Sequence, residues 1–467
     1  MTLPPLDIRP GRSPHYPAGP PFLPRILSGE AFRSTSADLM LSSAQTYGDL
    51  VYYRAFGRHI YQLNHPDLIR DFLTTDAPHH HRNLVMQRAR TVLGNGLLTS
   101  EEPLHMRQRR LAQPAFHRDR IAGYGIVISD TAARMCAKWH TGTTRNLHAD
   151  MLELALRIVG KCLFDLDHLD NIEAVAAAVD SFMGFLPLAF LPFSHAIQRL
   201  PIPSMRRLQR GKLHLDTLIT RMIATRRADP PGTPDRGDLL SMLLAATDPE
   251  DATAASNKMT DQQIHDECVT ILLAGHETTA NALSFALYLL ATHPEAQEQL
   301  HDEAIAVLGP DRNPTAADYP QLPFATQVFA EDMRLYPPVW VTARTCISSY
   351  RIAGYQIPVG AALLAPQFAV HRDPRFFPDP TRFDPSRFTP DRKAELPRYA
   401  FFPFAGGGRQ CIAEGLAWME GTLTLATIAR SWCLRSPPNA PAKLDINPAI
   451  SLRPRHGLPI HLDRRTA

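Results

Sequence analysis

The sequence predicts a mainly α-helical protein with a small β-rich side, and three observations support this fold class. Apolar residues recur at helical spacing through most of residues 104–300. Strand-like alternation is confined to an early hairpin and to short pieces after residue 339. The 42 prolines concentrate near the N-terminus and after about residue 310, where turns and extended connections are expected.

The composition is that of a globular protein and argues against several function classes. Of the 467 residues, 44% are hydrophobic and 20% are charged, so the chain can bury a large core. The net charge of +3 and the lack of a Lys/Arg block argue against a nucleic-acid partner. No apolar run near the N-terminus is long enough for a signal peptide or a membrane anchor. We expect a proline-rich tail over residues 1–20 and a single domain over residues 21–467.

The first predicted elements are a small sheet and then helices. Residues 50–63 alternate apolar and polar side chains around a Gly-Arg turn, which predicts a β-hairpin. Residues 66–73 begin with proline and continue at helical spacing. The same spacing in residues 151–164 and 208–228 predicts longer helices.

The longest predicted helix covers residues 261–292. Thr260 and Gln263 have the spacing of a capping box at its start, and Pro294 stops it. At about 1.5 Å per residue it would run roughly 45–50 Å. Because the segment is so apolar, we expect it to be buried along most of its length.

The C-terminal third of the chain predicts short alternating elements. Residues 294–308 and 322–335 have helical spacing, whereas residues 339–343 and 351–366 are apolar and strand-like. A proline-rich segment and a glycine run follow. The last predicted helix covers residues 412–431.

A glycine run leads into a lone cysteine in the stretch FPFAGGGRQCIAEG, residues 402–415. Because the six cysteines lie far apart, disulfides and a zinc site are poor predictions, and a reducing cytoplasm fits best. A lone cysteine can still bind a metal whose other ligands come from a cofactor, as in thiolate-bound heme. On that hypothesis the glycines let backbone N–H groups reach the Cys411 sulfur, and Arg409 pairs with a heme carboxylate. A buried structural cysteine is the alternative.

The spacing of four residues favours a heme ligand over a structural cysteine. These residues are Phe404, Gly407, Arg409 and Cys411, and four fixed residues at fixed offsets rarely arise by chance. They resemble the heme-binding signature F-x-x-G-x-R-x-C-x-G of the cytochrome P-450 family. The resemblance implies that Cys411 is the axial ligand of the iron of heme b. It also implies the P-450 fold, a triangular helical domain that encloses heme. Ala413 departs from the family pattern, which usually has its last glycine there.

The stretch AGHETT, residues 274–279, places small and polar residues inside the long apolar helix, where they cost helix propensity and desolvation. A polar patch that faces a neighbouring helix is one interpretation. The stretch also resembles the family motif A-G-x-(D/E)-T-T. The resemblance implies that Ala274 and Gly275 make room over the iron and that Glu277 and Thr278 relay protons to bound dioxygen. His276 is interpreted as a surface or lining residue.

The segment EDMR, residues 331–334, places Glu331 and Arg334 one helical turn apart, where they can pair. Alone, this pattern is common on solvated helix faces. Its position before PSRF, residues 385–388, resembles the E-x-x-R helix and the later P-x-R-F turn of the family. The resemblance implies that Glu331, Arg334 and Arg387 form a buried ion network that holds the heme loop. A serine replaces the acid often found in that turn.

Three side chains are assigned to the heme propionates by resemblance. His105 and Arg109 lie one turn apart on a predicted helix and share a face. In related sequences a Trp or His and an Arg at this spacing bind a propionate, and Arg344 is similar to the family's propionate-binding arginine. Arg107 and Arg110 are interpreted as an exposed basic helix start. The histidines at residues 79–81 are interpreted as a solvated loop rather than a metal site.

The resemblance covers almost the whole chain and implies a heme-thiolate monooxygenase, which inserts one atom of O2 into an unactivated C–H bond. Two electrons must come from a separate partner, and a ferredoxin with its reductase is usual among soluble bacterial members. The basic residues that would meet this acidic partner are Arg107, Arg110, Arg118 and Arg120. We expect a monomeric cytoplasmic enzyme without a membrane anchor.

The segments that would line the substrate site by resemblance are mainly apolar, so a hydrophobic small molecule is expected. They are residues 84–98, residues 182–193, the helix face around Ile271 and Ala274, and Val339 to Val341. The phrase RLYPPVW, residues 334–340, is similar to that of bacterial members that act on terpenes, with fatty acids as the second expectation. A peroxide-driven or isomerising heme-thiolate enzyme and a non-catalytic heme-binding sensor are the alternatives. The Glu277–Thr278 pair argues against both.

Overall fold

The chain, in this computed structural model, divides into two compact units, each assembled from separate segments of the sequence. The first unit contains residues 1–84, 326–411 and 441–456, and the second contains residues 85–325, 412–440 and 457–467. The structure describes residues 3–21, 35–55, 57–166, 175–178, 181–182, 203–230, 236–248, 250, 257–439 and 444–465. That residues 21–467 form a single domain stays a prediction.

Helices predominate, as the sequence predicts. They are α1 (Ser36–Tyr47), α2 (Pro66–Leu73), α3 (Leu84–Leu93), α4 (Leu104–Ala112), α5 (Arg118–Cys136), α6 (Leu147–Phe164), α7 (Pro203–Arg227), α8 (Leu239–Ala245), α9 (Asp261–Thr292), α10 (Pro294–Leu308), α11 (Pro323–Leu335), α12 (Gln367–Val370), α13 (Pro390–Glu395) and α14 (Glu414–Ser431). Within the described ranges, none of these helices combines the length and the hydropathy that crossing a bilayer requires.

The strands are short and form small sheets. They are β1 (Leu50–Ala55), β2 (Arg58–Leu63), β3 (His80–Arg82), β4 (Thr143–Asn146), β5 (Thr342–Cys346), β6 (Tyr350–Ile352), β7 (Tyr355–Ile357), β8 (Ala362–Ala365), β9 (Trp432–Arg435), β10 (Ile446–Pro448), β11 (Leu452–Pro454) and β12 (Pro459–Arg464). The largest sheet has the order β1-β2-β8-β5-β3 and belongs to the first unit, whereas β4-β12-β9 belongs to the second.

The first unit has its core on one face of the five-stranded sheet. Strands β1 and β2 pair antiparallel, with Leu50 opposite Leu63, so the predicted hairpin is confirmed. Strand β8 joins β2 in parallel and β5 in antiparallel orientation. Apolar side chains of these strands, such as Leu363, pack with Phe72 of α2 in one buried cluster. The cluster removes a large apolar area from water, which is the main source of stability here.

Residues 3–21 run beside this sheet. The Tyr52 N–H donates to the Ala18 carbonyl at 3.0 Å, and the rings of Tyr16 and Tyr52 stack with centroids 4.3 Å apart. The stretch predicted as a proline-rich tail is therefore held on β1 by backbone and aromatic contacts. Prolines suit this edge position because they need no donor for a strand ladder.

The second unit is built around α9. The Thr260 side chain accepts from the Gln263 N–H, the Gln263 side chain accepts from the Thr260 N–H, and the helix ends at Thr292 just before Pro294. The predicted capping box and both ends are confirmed. Helix α6 packs along α9, and α14 packs on α5. Nearly the whole length of α9 is buried, as its apolar sequence predicts.

Two predictions at this level are wrong or incomplete. His80 is 7% exposed and lies in β3, where it pairs with Cys346, so the solvated-loop interpretation of residues 79–81 fails for it. Strands β9 and β12 follow the last predicted helix and were not predicted. In both cases the partner strand lies far along the chain, and local alternation over three to six residues gives too weak a signal.

Candidate functional site

The loop that carries Cys411 is closed by backbone contacts within the first unit. The Cys411 N–H donates to the Phe404 carbonyl at 3.0 Å. Gly407 has φ +69°, and a Cβ there would lie 2.0 Å from the carbonyl oxygen of Leu73 at the end of α2. Only glycine fits at residue 407, because both its backbone angle and this close approach exclude a side chain. The need for glycine at residue 407 does not depend on backbone N–H groups donating to the Cys411 sulfur. That donation stays a prediction.

Cys411 differs from the other cysteines in its exposure. Cys136, Cys162, Cys268 and Cys346 are buried, whereas Cys411 is exposed. Burial raises the pKa of all four buried thiols, which therefore stay protonated. Among the described residues, no group of three or more His, Cys, Asp and Glu side chains could hold a metal ion. An accessible lone thiol fits a metal whose other ligands belong to a cofactor, so these residues suit a heme iron.

Glu331 and Arg334 form a fully buried ion pair in the first unit. The Arg334 guanidinium donates to both carboxylate oxygens of Glu331, at 2.6 and 2.7 Å, and both side chains are 0% exposed. Its remaining donors meet the carbonyls of His371, Pro380 and Arg382 at 2.7–3.0 Å. Every N–H donor of the planar guanidinium is therefore paired. Such pairing is needed to bury an ion pair without a large loss of stability.

Arg387 reaches the same carboxylate with a longer contact. Its Nε lies 3.5 Å from Glu331 Oε1, while its second nitrogen donates to the Asp379 carbonyl at 3.1 Å. The Asp384 N–H also donates to Glu331 Oε1, at 2.8 Å. The Asp384 carboxylate in turn accepts from the Ser386 hydroxyl, so an acid two residues earlier lies beside the serine of the P-x-R-F turn. Asp384 was not predicted, although it lies directly before that motif.

A buried histidine connects this network to the cysteine stretch. His371 accepts from Arg334 through its carbonyl, and burial together with the Arg334 charge lowers the pKa of its ring to about 3. The neutral ring accepts the Phe402 N–H on Nε2 at 3.0 Å. Neighbouring Asp332 is fully buried, and its burial and the Glu331 charge raise its pKa well above the ordinary value.

Helix α9 is mainly buried, but residues at its centre are accessible to solvent. Ala274 is exposed and Thr278 is partly exposed, whereas Glu277 is buried. The Thr278 hydroxyl donates to the Ala274 carbonyl at 2.7 Å. Such a bond to the preceding turn tends to loosen a helix locally. The open surface lies where the motif predicts room for a ligand.

Two residues of the AGHETT stretch point to neighbouring structure instead. His276 is 3% exposed, and its Nε2 donates to the Leu152 carbonyl of α6 at 3.0 Å. Burial lowers the pKa of this histidine to about 4, so it is neutral, and its interpretation as a surface or lining residue is wrong. A Cβ at Gly275 would lie 2.8 Å from Val159 Cγ2, also on α6. The close packing of α6 on α9 therefore requires this glycine.

The residues predicted at the propionates lie in both units. In the second unit, His105 and Arg109 share a face of α4, and the His105 ring bonds Glu102 at 3.0 Å. In the first unit, Arg344 of β5 pairs in register with Arg82 of β3, and each is 9% exposed. Two arginines of like charge therefore lie side by side on neighbouring strands. Arg82 was missed because its partner strand was not predicted.

Arg107 and Arg110 are engaged with acids of the second unit. Arg107 Nε lies 3.2 Å from the buried Asp248, and Arg110 lies 2.9 Å from Glu250. Both are only partly exposed, so their interpretation as an exposed basic helix start is wrong. Their charge is largely compensated, which reduces what they can offer an acidic partner.

An apolar cleft lies in the second unit. It is narrow, with room for about one water molecule. Its lining combines the polar residues Lys212 and Asp216 with Val92, Ala178, Phe182, Leu208, Gly211, Leu215 and Leu273. Val92 belongs to the predicted lining segment 84–98, and Leu273 adjoins the predicted Ala274. Residues 183–193 of another predicted segment lie outside the described residues. In the first unit, Val339 is 38% exposed, while the Trp340 ring N–H donates to the Ala449 carbonyl.

The chain is similar to known proteins over most of its length. The sequence profile of the family described as Cytochrome P450 matches residues 17–459. Cyclooctatin synthase from Streptomyces melanosporofaciens is 37% identical over 434 residues, with 91% of each chain covered. Cyclooctat-9-en-7-ol 5-monooxygenase from the same species is 36% identical over 400 residues, with 85% of each covered. Pentalenene oxygenase from Streptomyces avermitilis is 33% identical over 431 residues, with 91% of this chain and 92% of that one covered.

A solved structure agrees with these sequence matches. The crystal structure of the cytochrome P450DA heme domain aligns with a TM-score of 0.81 at 25% identity, covering 100% of this chain and 99% of that one. The profile match includes the Cys411 loop, the Glu331–Arg334 pair and the centre of α9. With such coverage in sequence and fold, the chain belongs to the cytochrome P450 family of monooxygenases, whose cofactor is heme b.

Proposed function

We propose that this P450 monooxygenase oxidises a terpene or terpenoid, with a fatty acid as the second candidate class. The observation that carries the proposal is the similarity, over most of the chain, to relatives named for terpene oxidation.

Cys411 would bind the heme iron through its thiolate. Heme, when bound, supplies the activation of O2, and a thiolate ligand favours cleavage of the O–O bond. Gly407 and the bond from Cys411 N–H to Phe404 would fix the loop that presents the sulfur. His105, Arg109, Arg344 and Arg409 would bind the propionates, and Arg82 joins them because it adds a second buried cation beside Arg344.

Glu277 and Thr278 would move the protons that O–O cleavage consumes. The Thr278 hydroxyl can give up its bond to the Ala274 carbonyl and turn toward a ligand above the open turn of α9. Glu277, one residue earlier and buried, would supply protons to that site. Ala274 leaves the space that the ligand needs. This division of roles separates a proton source from a positioning hydroxyl.

The electrons would come from a ferredoxin and its reductase in the cytoplasm, and the enzyme would act as a monomer. The predicted docking residues are no longer equivalent, since Arg107 and Arg110 are paired with acids. Arg118, which is exposed at the start of α5, is therefore the stronger candidate for meeting an acidic partner.

Thiolate ligation is tested by the absorbance spectrum of the reduced, CO-bound protein. We expect wild type and Cys433→Ser to give the red-shifted Soret band of a heme thiolate, because Cys433 lies far from the signature. Cys411→Ser should lose that band. A red-shifted band in Cys411→Ser, or none in wild type with bound heme, would refute the assignment.

The substrate class is tested by a binding screen that follows the low-spin to high-spin shift of the heme. We expect saturable shifts with cyclic terpenes and terpene alcohols, weaker shifts with fatty acids and none with steroids. Turnover with spinach ferredoxin, its reductase and ¹⁸O2 should then place one labelled oxygen in the product. If only fatty acids shift the spin state, fatty acids rather than terpenes would be assigned as the substrate class. Turnover with hydrogen peroxide but not with O2 and electrons would favour the peroxide-driven alternative.

A further inference from the structure

Helix α7 has one buried side and one exposed side. The helix packs on α9 in the second unit. Its buried side chains are Met205, Leu208, Leu215, Ile219 and Ile223. With about 3.6 residues per turn, these five lie within an arc of about 80° around the helix. The opposite side is exposed to solvent from residue 206 to residue 221.

The exposed side of α7 carries four arginines around one leucine. Arg206, Arg210 and Arg221 lie within about 60° of one another around the helix, and Arg207 lies beside them. All four are exposed, and together they extend over about 22 Å of the helix. Leu213 lies among them and is 68% exposed, the highest value for a large apolar side chain among the described residues. We call these five residues the arginine face.

The charges of the arginine face are not compensated by acids of the described residues. The other lysine and arginines of α7 each pair with a carboxylate, and these pairs are Lys212–Asp216, Arg226–Asp238 and Arg227–Asp261. Asp216 is the only acid in the sequence of α7, and it lies beside the buried side. Within the described ranges, the arginines of the face make no ion pair or hydrogen bond through their side chains. The face therefore presents four positive charges to solvent.

We propose that the arginine face binds the surface of a bilayer that contains anionic phospholipids. Headgroup phosphates are complementary to it in charge, and the planar guanidinium pairs well with phosphate. Lipids also move laterally, so their phosphates can meet four side chains at any spacing. Leu213 would leave water for the boundary of the acyl chains, which favours an apolar side chain. A soluble polyanion would pair with the arginines, but it would not favour an exposed leucine among them.

The expected binding is peripheral and reversible. Each arginine near an anionic surface strengthens binding about fivefold, so the four together add a factor of several hundred. Salt screens this attraction, so binding should weaken as the ionic strength rises. The inference goes beyond the proposed function, since it requires neither thiolate ligation nor a particular substrate class. Hydrophobic molecules concentrate in bilayers, so such binding would bring the enzyme close to them.

Co-sedimentation with phospholipid vesicles tests the role of the charges. Wild type should bind phosphatidylcholine vesicles that contain about one third phosphatidylglycerol, and it should not bind pure phosphatidylcholine vesicles. A variant that combines Arg206→Gln, Arg207→Gln, Arg210→Gln and Arg221→Gln should bind the anionic vesicles at least about fiftyfold more weakly. Because these side chains are exposed and unpaired among the described residues, the variant should keep the unfolding temperature of wild type.

The matched control removes the same charge from four other exposed arginines, which pair with surface acids. Its binding should stay within about threefold of wild type, because these arginines do not belong to the face. The substitutions are Arg9→Gln, Arg70→Gln, Arg392→Gln and Arg435→Gln. An equal loss in both variants would show that net charge rather than the arginine face drives binding, and the proposal would fail.

Fluorescence quenching tests whether this face lies on the bilayer. In Leu213→Trp, lipids with brominated acyl chains should quench the emission added by the new ring, because residue 213 would lie at the acyl-chain boundary. The control Ile126→Trp changes an apolar residue of α5 that is 60% exposed, and its added emission should not be quenched. Absence of quenching at residue 213 would overturn the proposal. Binding to heparin or spinach ferredoxin without binding to anionic vesicles would also overturn it and assign the face to a soluble acidic partner.

Discussion

Two buried polar regions of this protein are organised in opposite ways. In the first unit, Glu331 and Arg334 lie at the centre of a compact network in which one guanidinium meets a carboxylate and three carbonyls. In the second unit, the buried polar residues of α9 are spread along one helix, and they bond backbone groups of neighbouring segments. Among the described residues, atoms without a hydrogen-bond partner occur in both regions: Asp332 Oδ1 and Oδ2, His371 Nδ1 and Arg387 Nε in the first, and Glu267 Oε1 and His276 Nδ1 in the second.

The two regions respond differently to a change. All the donors of the Arg334 guanidinium are paired, so its removal leaves the buried Glu331 carboxylate without its main partner. Groups with spare hydrogen-bonding capacity can exchange partners at low cost, as Thr278 can with its bond to Ala274. We therefore interpret the network as a rigid support of the cysteine stretch, which it contacts through His371 and Phe402. We interpret α9 as the more adaptable helix.

The largest effect is expected when the network is broken. Arg334→Met leaves the Glu331 carboxylate buried without its partner, which should lower the free energy of unfolding by about 3–5 kcal/mol. Arg387→Met removes only a 3.5 Å contact and one carbonyl bond, so it should cost clearly less. Urea unfolding of the two variants measures the comparison. Equal losses would mean that Arg334 holds no special place in the network.

The second prediction concerns the pH dependence of Glu267. Burial raises the pKa of Glu267 from 4.5 to about 8, with the Leu97 N–H opposing and the Asp266 charge assisting the rise. Between these values the folded protein binds more protons than the unfolded chain, so this acid lowers the free energy of unfolding as the pH rises. Glu267→Gln keeps an oxygen for the Leu97 N–H and removes the titration. Its stability relative to wild type should rise by about 2–4 kcal/mol from pH 5 to pH 8.

The control for this titration is Asp261→Asn, because Asp261 is exposed on the same helix. Its stability relative to wild type should stay constant between pH 5 and pH 8. Urea unfolding at several pH values measures both differences. A difference for Glu267→Gln that does not change with pH would show that this carboxyl is ionised throughout, and the contrast with the network would then weaken.

A smaller effect is expected from Gly275→Ala, which tests why the glycine is needed. The added methyl group lies 2.8 Å from Val159 Cγ2, and this crowding outweighs the gain in helix propensity, for a net loss of about 1 kcal/mol. Adding Val159→Ala removes the crowding, so the double mutant should be destabilised by less than the sum of the two single mutants. Additive losses in urea unfolding would instead assign the glycine to the ligand side of α9.

Local signals in the sequence were enough to predict the parts of the fold that depend on neighbouring residues. The capping box of α9 involves residues three apart, and the Glu331–Arg334 pair is one helical turn wide. The hairpin at residues 50–63 is also local. In each case the residues that interact are visible in one window of the sequence.

The parts that could not be predicted depend on distant residues. Gly407 is required by the carbonyl of Leu73, and Gly275 by Val159, neither of which its motif reveals. Arg107 looks like a solvated cation until Asp248 is placed beside it. A motif identifies the residue type at a position, but the physical reason for that type came from packing between separate segments.

Thr278→Ala is expected to have the smallest effect on stability. It also tests most directly whether α9 is adaptable. The side chain bonds only a carbonyl of its own helix, and alanine is a better helix former, so the free energy of unfolding should change by about 0.5 kcal/mol or less. If Thr278 positions protons, the variant should bind heme normally but release more hydrogen peroxide per NADPH consumed with the best ligand of the screen. Thr278→Ser keeps the hydroxyl and should stay coupled. If Thr278→Ala forms as much product per NADPH as wild type, the hydroxyl has no role in proton transfer. The centre of α9 would then be a structural support, as the network is.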